Sequence, residues 1–130
     1  YLTGQILRQF LESKHPPKRM VLLVQKEVAE RIVARDGKES ILSISVKKFA
    51  EPKLITRVSR GSFSPAPRVD SAVLRLDRRE TPLSVDLALV KKAFAHKRKM
   101  LSSTLGIESM ERPENLSVEQ WVEYSENLPR

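Results

Sequence analysis

The period of the apolar positions changes repeatedly along this chain, and each change marks an element. Ile6, Leu7, Phe10 and Leu11 recur at helical spacing, which predicts a short helix capped by Thr3 and ended by Pro16-Pro17. Arg19 to Gln25 is a continuous apolar run with polar flanks, the pattern of a parallel strand buried on both faces. From Lys26 to Arg35 the helical spacing returns, with Val28, Ala29, Ile32 and Val33 inward and Gly37 as a left-handed stop. Ser43 to Ala50 fits a helix and a strand alike. Lys53 to Val58 reads as a strand, and so does Ser71 to Arg79, where Ala72, Leu74 and Leu76 alternate with Val73, Arg75 and Asp77. After Thr81-Pro82 the pattern is purely helical. Ser84 is placed to cap a helix with Leu83, Leu87, Val90 and Phe94 along one stripe. Ser117 and Gln120 have the spacing of a capping box, with Leu116 and Trp121 as its hydrophobic staple. That last helix is expected to pack through Val118, Trp121, Val122 and Leu128.

The order of elements predicts an α/β part over residues 1–80 and a small helical part over 82–130. Composition adds bounds. With 130 residues, 40% of them hydrophobic, the chain has the size of one domain or a little more. It has no Cys, so neither a disulfide frame nor a thiolate metal site is available. His15 and His96 are 81 positions apart, which is no metal-ligand spacing, and no metal is expected. The longest apolar run, Met20 to Val24, is too short to cross a membrane.

Charge points to a partner. The formal net charge is +8, which suits a polyanion whose condensed counterions Lys and Arg displace. Lys91, Lys92, Lys97, Arg98 and Lys99 place five positive charges in nine residues without an acid. Residues 100 to 130 carry two basic against six acidic residues, so that tail is not a phosphate-binding surface. A lesser basic patch is expected from Arg57, Arg60 and Arg68.

The stretch Phe63-Ser64-Pro65-Ala66-Pro67-Arg68-Val69-Asp70-Ser71 concentrates the unusual chemistry. Pro65 and Pro67 fix φ and push Ser64 and Ala66 toward extended backbone, so they shape a stiff loop. Phe63 stands at its mouth. The ring either plugs the core or offers a flat face to a flat ligand such as a nucleobase. Asp70 reads as a turn-capping carboxylate at a strand entry rather than as a general base.

This nonapeptide resembles the F-x-P-x-P-x-V-D-S block of the ribosomal RNA adenine dimethyltransferases. Gln25-Lys26-Glu27-Val28-Ala29-Glu30-Arg31-Ile32 is similar to the Q-K-E-V-A-x-R-[IL] segment of that family. Phe94 followed by Lys97-Arg98-Lys99-Met100-Leu101 is similar to its F-x-x-[RK]-R-K-x-L segment. The resemblance implies the closing part of a Rossmann-like sheet with an antiparallel final strand, a helix over Ser43 to Ala50, and a small all-α C-terminal domain that binds RNA. It implies S-adenosylmethionine as methyl donor and an adenine of small-subunit ribosomal RNA as acceptor, in a cytoplasmic, monomeric ribosome-biogenesis enzyme. It implies that Phe63 stacks on the target adenine.

Tyr1-Leu2-Thr3-Gly4 resembles the residues just after the family's N-[LI]-P-[YF] catalytic motif, and no G-x-G loop follows a strand here. The expectation is therefore the C-terminal part of an enzyme, with no cofactor-binding residue of its own. Alternatives are a catalytically silent RNA-binding or assembly factor of the same fold, and a DNA-binding helical protein. The second of these lacks the Arg, Asn or Gln arrangement that reads base edges. Among family siblings, the basic block and the Trp121 helix fit ribosome biogenesis better than macrolide resistance.

Overall fold

The last strand in sequence is the middle strand in space. The computed structural model describes residues 2–35, 37–95 and 112–127. Its elements are α1 (Leu2–Leu11), β1 (Arg19–Gln25), α2 (Lys26–Val33), α3 (Ile41–Phe49), β2 (Ala50–Val58), β3 (Ser71–Arg78), α4 (Leu87–Phe94) and α5 (Val118–Glu126). Short 3-10 turns lie at Arg60–Ser62 and Pro113–Asn115. The three strands form one sheet in the order β1-β3-β2. β3 runs antiparallel to both neighbours, so β1 and β2 point the same way on either side of it. The antiparallel final strand and the helical state of residues 41–49 agree with the expectations.

Burial alternates along β3, with Ala72, Leu74 and Leu76 inward. Leu74 and Leu76 meet Met20 of β1, Ala50 of β2, Leu7 and Leu11 of α1, Ile32 of α2 and Val46 of α3 in one apolar cluster. Pro52 is tolerated in β2 because β2 is an edge strand. The register of β2 on β3 shifts between Leu54 and Thr56, a bulge at Ile55.

β1 departs from its expected burial. Met20 is buried, but Val21 and Leu23 are 61% and 55% exposed, so only one face is packed. The run is continuous in sequence yet divided by the pleat. Similarly, Leu7 and Leu11 of α1 are buried whereas Ile6 and Phe10 are exposed, so the expected four-residue face is only half used.

Helix ends also differ from the reading of the sequence. α1 already includes Thr3, which therefore is not its cap. Gly37 does adopt φ +89, but α2 ends at Val33 with Ala34 as C-cap, so Gly37 serves the following loop. Its positive φ and the Asn115 side-chain oxygen 3.3 Å from where a Cβ would stand both favour glycine there. α4 is capped by Asp86, not Ser84: its carboxylate accepts from Ala88 N and Leu89 N at 3.0 and 3.2 Å. Asp86 N in turn donates to Ser125 Oγ at 2.9 Å, which ties the start of α4 to α5. The expected Ser117–Gln120 capping box is present, and both staple residues, Leu116 and Trp121, are buried. Leu128 lies outside the described residues.

A second apolar cluster joins Val85, Val90, Ala93, Leu116, Val118 and Trp121 around Ile44 of α3. The stretch between β3 and α4 is fastened to the end of α3 as well. Arg79 N donates to Phe49 O and Leu83 N to Lys48 O, each at 2.8 Å. Lys48 Nζ donates to Val85 O at 2.7 Å, and Arg79 Nε to Lys47 O at 2.8 Å. α3 thus contributes to both clusters and holds the connection between them.

Candidate nucleic-acid interface

Ser71, the first residue of β3, pairs with Gln25 on one side and Val58 on the other. Those two residues are the carboxyl ends of β1 and β2. The loop 59–70 therefore sits where parallel strands of an α/β sheet end, the position at which such sheets present ligand sites.

Local hydrogen bonds build this loop from both sides. Ser59 Oγ accepts from Gly61 N at 3.3 Å, and Ser59 O accepts from Ser62 N at 2.9 Å, which closes the 3-10 turn. Phe63 N donates to Arg60 O at 3.3 Å. From the far side, Asp70 Oδ1 accepts from Arg60 N at 2.9 Å, and Arg60 Nη1 donates to Arg68 O at 3.1 Å. Asp70 O accepts from Lys26 N at 2.9 Å, anchoring the loop to the first turn of α2. This is a turn-capping role for Asp70, as its sequence context suggests. Pro65 and Pro67 are exposed, and the Ser64–Pro65 bond is cis.

Phe63 is half-buried and belongs to neither apolar cluster. Its loop neighbours from Ser64 to Arg68 are all exposed.

The basic residues divide into groups. Arg60 and Arg68 are joined in the loop itself, while Arg57 on β2 pairs with Glu30 of α2 at 3.4 Å, both largely exposed. Lys91 and Lys92 are exposed in the last turn of α4, where they also complement the helix dipole. Lys97, Arg98 and Lys99 lie outside the described residues, as does His96. Glu27 occupies the first turn of α2, where a carboxylate suits the positive helix end.

Two cavities lie away from this loop. One of about 680 Å³ is lined by residues that include Arg35, Glu51, Lys53, Arg75 and Glu119. Much of its charge is internally paired: Lys47 with Glu39 at 2.8 Å, Arg79 with Glu51 at 3.1 Å, and Arg75 with Asp77 at 3.1 Å. Another of about 390 Å³ lies among residues such as Leu11, Pro16, Phe49 and Pro82. Neither includes a residue of the 59–70 loop. Among the described residues no group of three or more His, Cys, Asp or Glu is placed to hold a metal ion. No described helix is long and apolar enough to cross a membrane.

Sequence reasoning missed the Arg60–Asp70 contact and the Asp86 cap. The first joins residues ten apart through a backbone amide, for which a sequence has no mark. The second was readable, since Asp is as good an N-cap as Ser.

The sheet and its flanking helices match solved α/β methyltransferases. A dimethyladenosine transferase from Plasmodium falciparum superposes with a TM-score of 0.73 at 31% identity, over 82% of this chain and 42% of that one. The 23S rRNA methyltransferase ErmE shares the fold, with a TM-score of 0.71 at 23% identity over 96% of this chain and 60% of its own. The particular family follows from the sequence: the chain belongs to the ribosomal RNA adenine dimethylase family, whose model matches residues 1–127. Ribosomal RNA small subunit methyltransferase A of Dehalococcoides mccartyi (strain CBDB1) is 35% identical over 98% of this chain and 53% of its own length. The protein of the same name from Thermotoga petrophila is 39% identical over 99% of this chain and 54% of its own. The chain thus spans about half the length of these curated relatives.

Proposed function

We propose that this chain is the target-base and RNA-binding part of an S-adenosylmethionine-dependent ribosomal RNA adenine N6,N6-dimethyltransferase that acts on the small subunit. The observation that carries this reading is the Phe63 loop. An aromatic side chain, uninvolved in either core cluster, stands at the carboxyl end of two parallel strands on a hydrogen-bonded loop. An enzyme that works on a base must take it out of its stack and grip it, commonly against an aromatic face. Stacking on such a ring is worth about 1–3 kcal/mol per base. The ring also favours positive charge on the methylated amine through a cation–π contact.

In this reading Arg60 and Arg68 meet phosphates beside the extruded adenine, with Arg57 at their margin. Lys91, Lys92, Lys97, Arg98 and Lys99 hold a ribosomal RNA groove from the helical part, residues 82–130. The methyl donor is S-adenosylmethionine, to which no residue of this chain is assigned. The protein is cytoplasmic and monomeric, and its partner is the pre-ribosomal small subunit. The names of the relatives favour a methyltransferase over a silent assembly factor of the same fold.

Phe63→Leu in the full-length enzyme tests the reading, because Leu keeps most of the apolar volume and loses the π face. The expected result is a melting temperature near wild type, retained cofactor affinity and markedly slower methyl transfer. Normal turnover would overturn the role of the ring.

A further inference from the structure

We infer that Asp70 is a positioning residue for Phe63, acting through Arg60; this rests on the base-stacking reading of Phe63. Three bonds in series connect the ring to the scaffold. Phe63 N donates to Arg60 O at 3.3 Å, Arg60 N donates to Asp70 Oδ1 at 2.9 Å, and Asp70 O accepts from Lys26 N at 2.9 Å. The Arg60 guanidinium returns to Arg68 O at 3.1 Å, so the same residue also braces the descending arm of the loop.

Asp70 is the junction of this relay. Its carbonyl faces the start of α2 while its carboxylate faces the turn that carries Phe63, so one residue registers the ring against the helix. An amide-to-carboxylate bond is charge-assisted and roughly twice as strong as a neutral one. Phe63 is only partly covered, lies in neither apolar cluster, and is followed by an exposed arm, residues 64–68. The bonds of its own turn therefore contribute to the direction of the side chain. The carboxylate therefore sets where the π face points, and neither donates nor accepts a proton in the reaction.

Two variants cut the relay from opposite sides. Asp70→Ala removes the acceptor. Arg60→Pro removes the donor N–H, at a first-turn position that proline suits, after Ser59 whose φ −60 and ψ 139 a following proline allows. Asp70→Asn keeps an acceptor oxygen and serves as the rescue.

Three-bond couplings of Phe63, measured by NMR on this chain, report the χ1 distribution, and the Trp121 resonances report the fold. Both cutting variants are expected to move the Phe63 couplings toward rotamer averaging with Trp121 unchanged, and Asn to restore them. In the full-length enzyme both cuts are expected to slow turnover about ten- to a hundred-fold, and Asp70→Ala, which leaves the Arg60 guanidinium in place, to change the KM for RNA little. Combining them should add nothing further. Wild-type couplings in either folded variant, or failure of Asn to rescue, would overturn the inference. Normal turnover in Phe63→Leu would instead remove the base-stacking reading and leave the coupling result standing.

Discussion

Lys47 Nζ stands 2.8 Å from Glu39 Oε2, with the two side chains only 6% and 3% exposed. The ammonium also bonds Glu39 Oε1 at 2.9 Å and the Ala34 carbonyl, while Ser43 Oγ donates to the same Glu39 oxygen at 2.7 Å. Three protons meet three acceptors, and both carboxylate oxygens are used. The pair stitches the end of α2 to α3, and so fixes the helix that both apolar clusters share.

Breaking this pair from one side leaves a buried charge without its partner. Lys47→Met or Glu39→Gln alone is expected to cost about 3–5 kcal/mol in urea unfolding. The double replacement Lys47→Met with Glu39→Leu is expected to cost much less than the two single effects added together. Additive losses would mean that the two groups do not act on one another.

Phe63→Ala is expected to change stability far less than Trp121→Ala. Trp121 is fully buried, and its truncation should cost about 3–5 kcal/mol. Phe63 lies outside both clusters, so its removal opens little cavity. Equal losses in parallel denaturation curves would return Phe63 to the core.

The Asp77 carboxyl is held below the usual aspartate value, mainly by the hydrogen bond from Arg19 at 2.7 Å; burial opposes this, and the charges of Arg19 and Arg75 add lesser lowering effects. A depressed folded-state value means that this contribution is present above the unfolded-state pKa. It is lost as pH falls through the folded value, so it erodes only on the acid side. In Arg19→Ala the Asp77 titration midpoint, followed by carbon NMR, is expected to rise. An unmoved midpoint would assign the shift to another cause.

Neutralising Lys97, Arg98 and Lys99 together in the full-length protein should flatten the plot of log RNA affinity against log salt. A drop in slope of about 2–3 is expected, at roughly 0.7–0.9 for each phosphate left unneutralised. An unchanged slope would place the RNA interface elsewhere.

The sequence made the elements legible where burial imposes a period. β3 alternates because one face meets the core, and Ala72, Leu74 and Leu76 are buried as the pattern requires. The capping box at Ser117 was visible because its two side chains are local. β1 was misjudged because an apolar run does not say which face is covered, and Val21 and Leu23 are on the open one. Within α1 the same ambiguity left Ile6 and Phe10 wet. Gly37 announces a positive φ but not the distance from the helix end, so the stop was placed too late. In the candidate site, the motif pointed to Phe63 and the prolines. The amide of Arg60, which joins them to Asp70, belongs to the backbone and is the same in every residue but proline.

The fastening of residues 79–85 to the end of α3 has a mechanical consequence. The connection is bonded to the end of α3 at three points, Arg79 N, Leu83 N and Val85 O, and is braced there. Helices α4 and α5 share an apolar cluster with Ile44 of α3, whose Val46 joins the sheet's cluster, so the lysines on α4 are tied through α3 to the sheet. In the function proposed above, a ribosomal RNA held by those lysines would be gauged against the strand end as by a fixed caliper. Lengthening the 79–85 segment would loosen the gauge even with every bond to the RNA left intact.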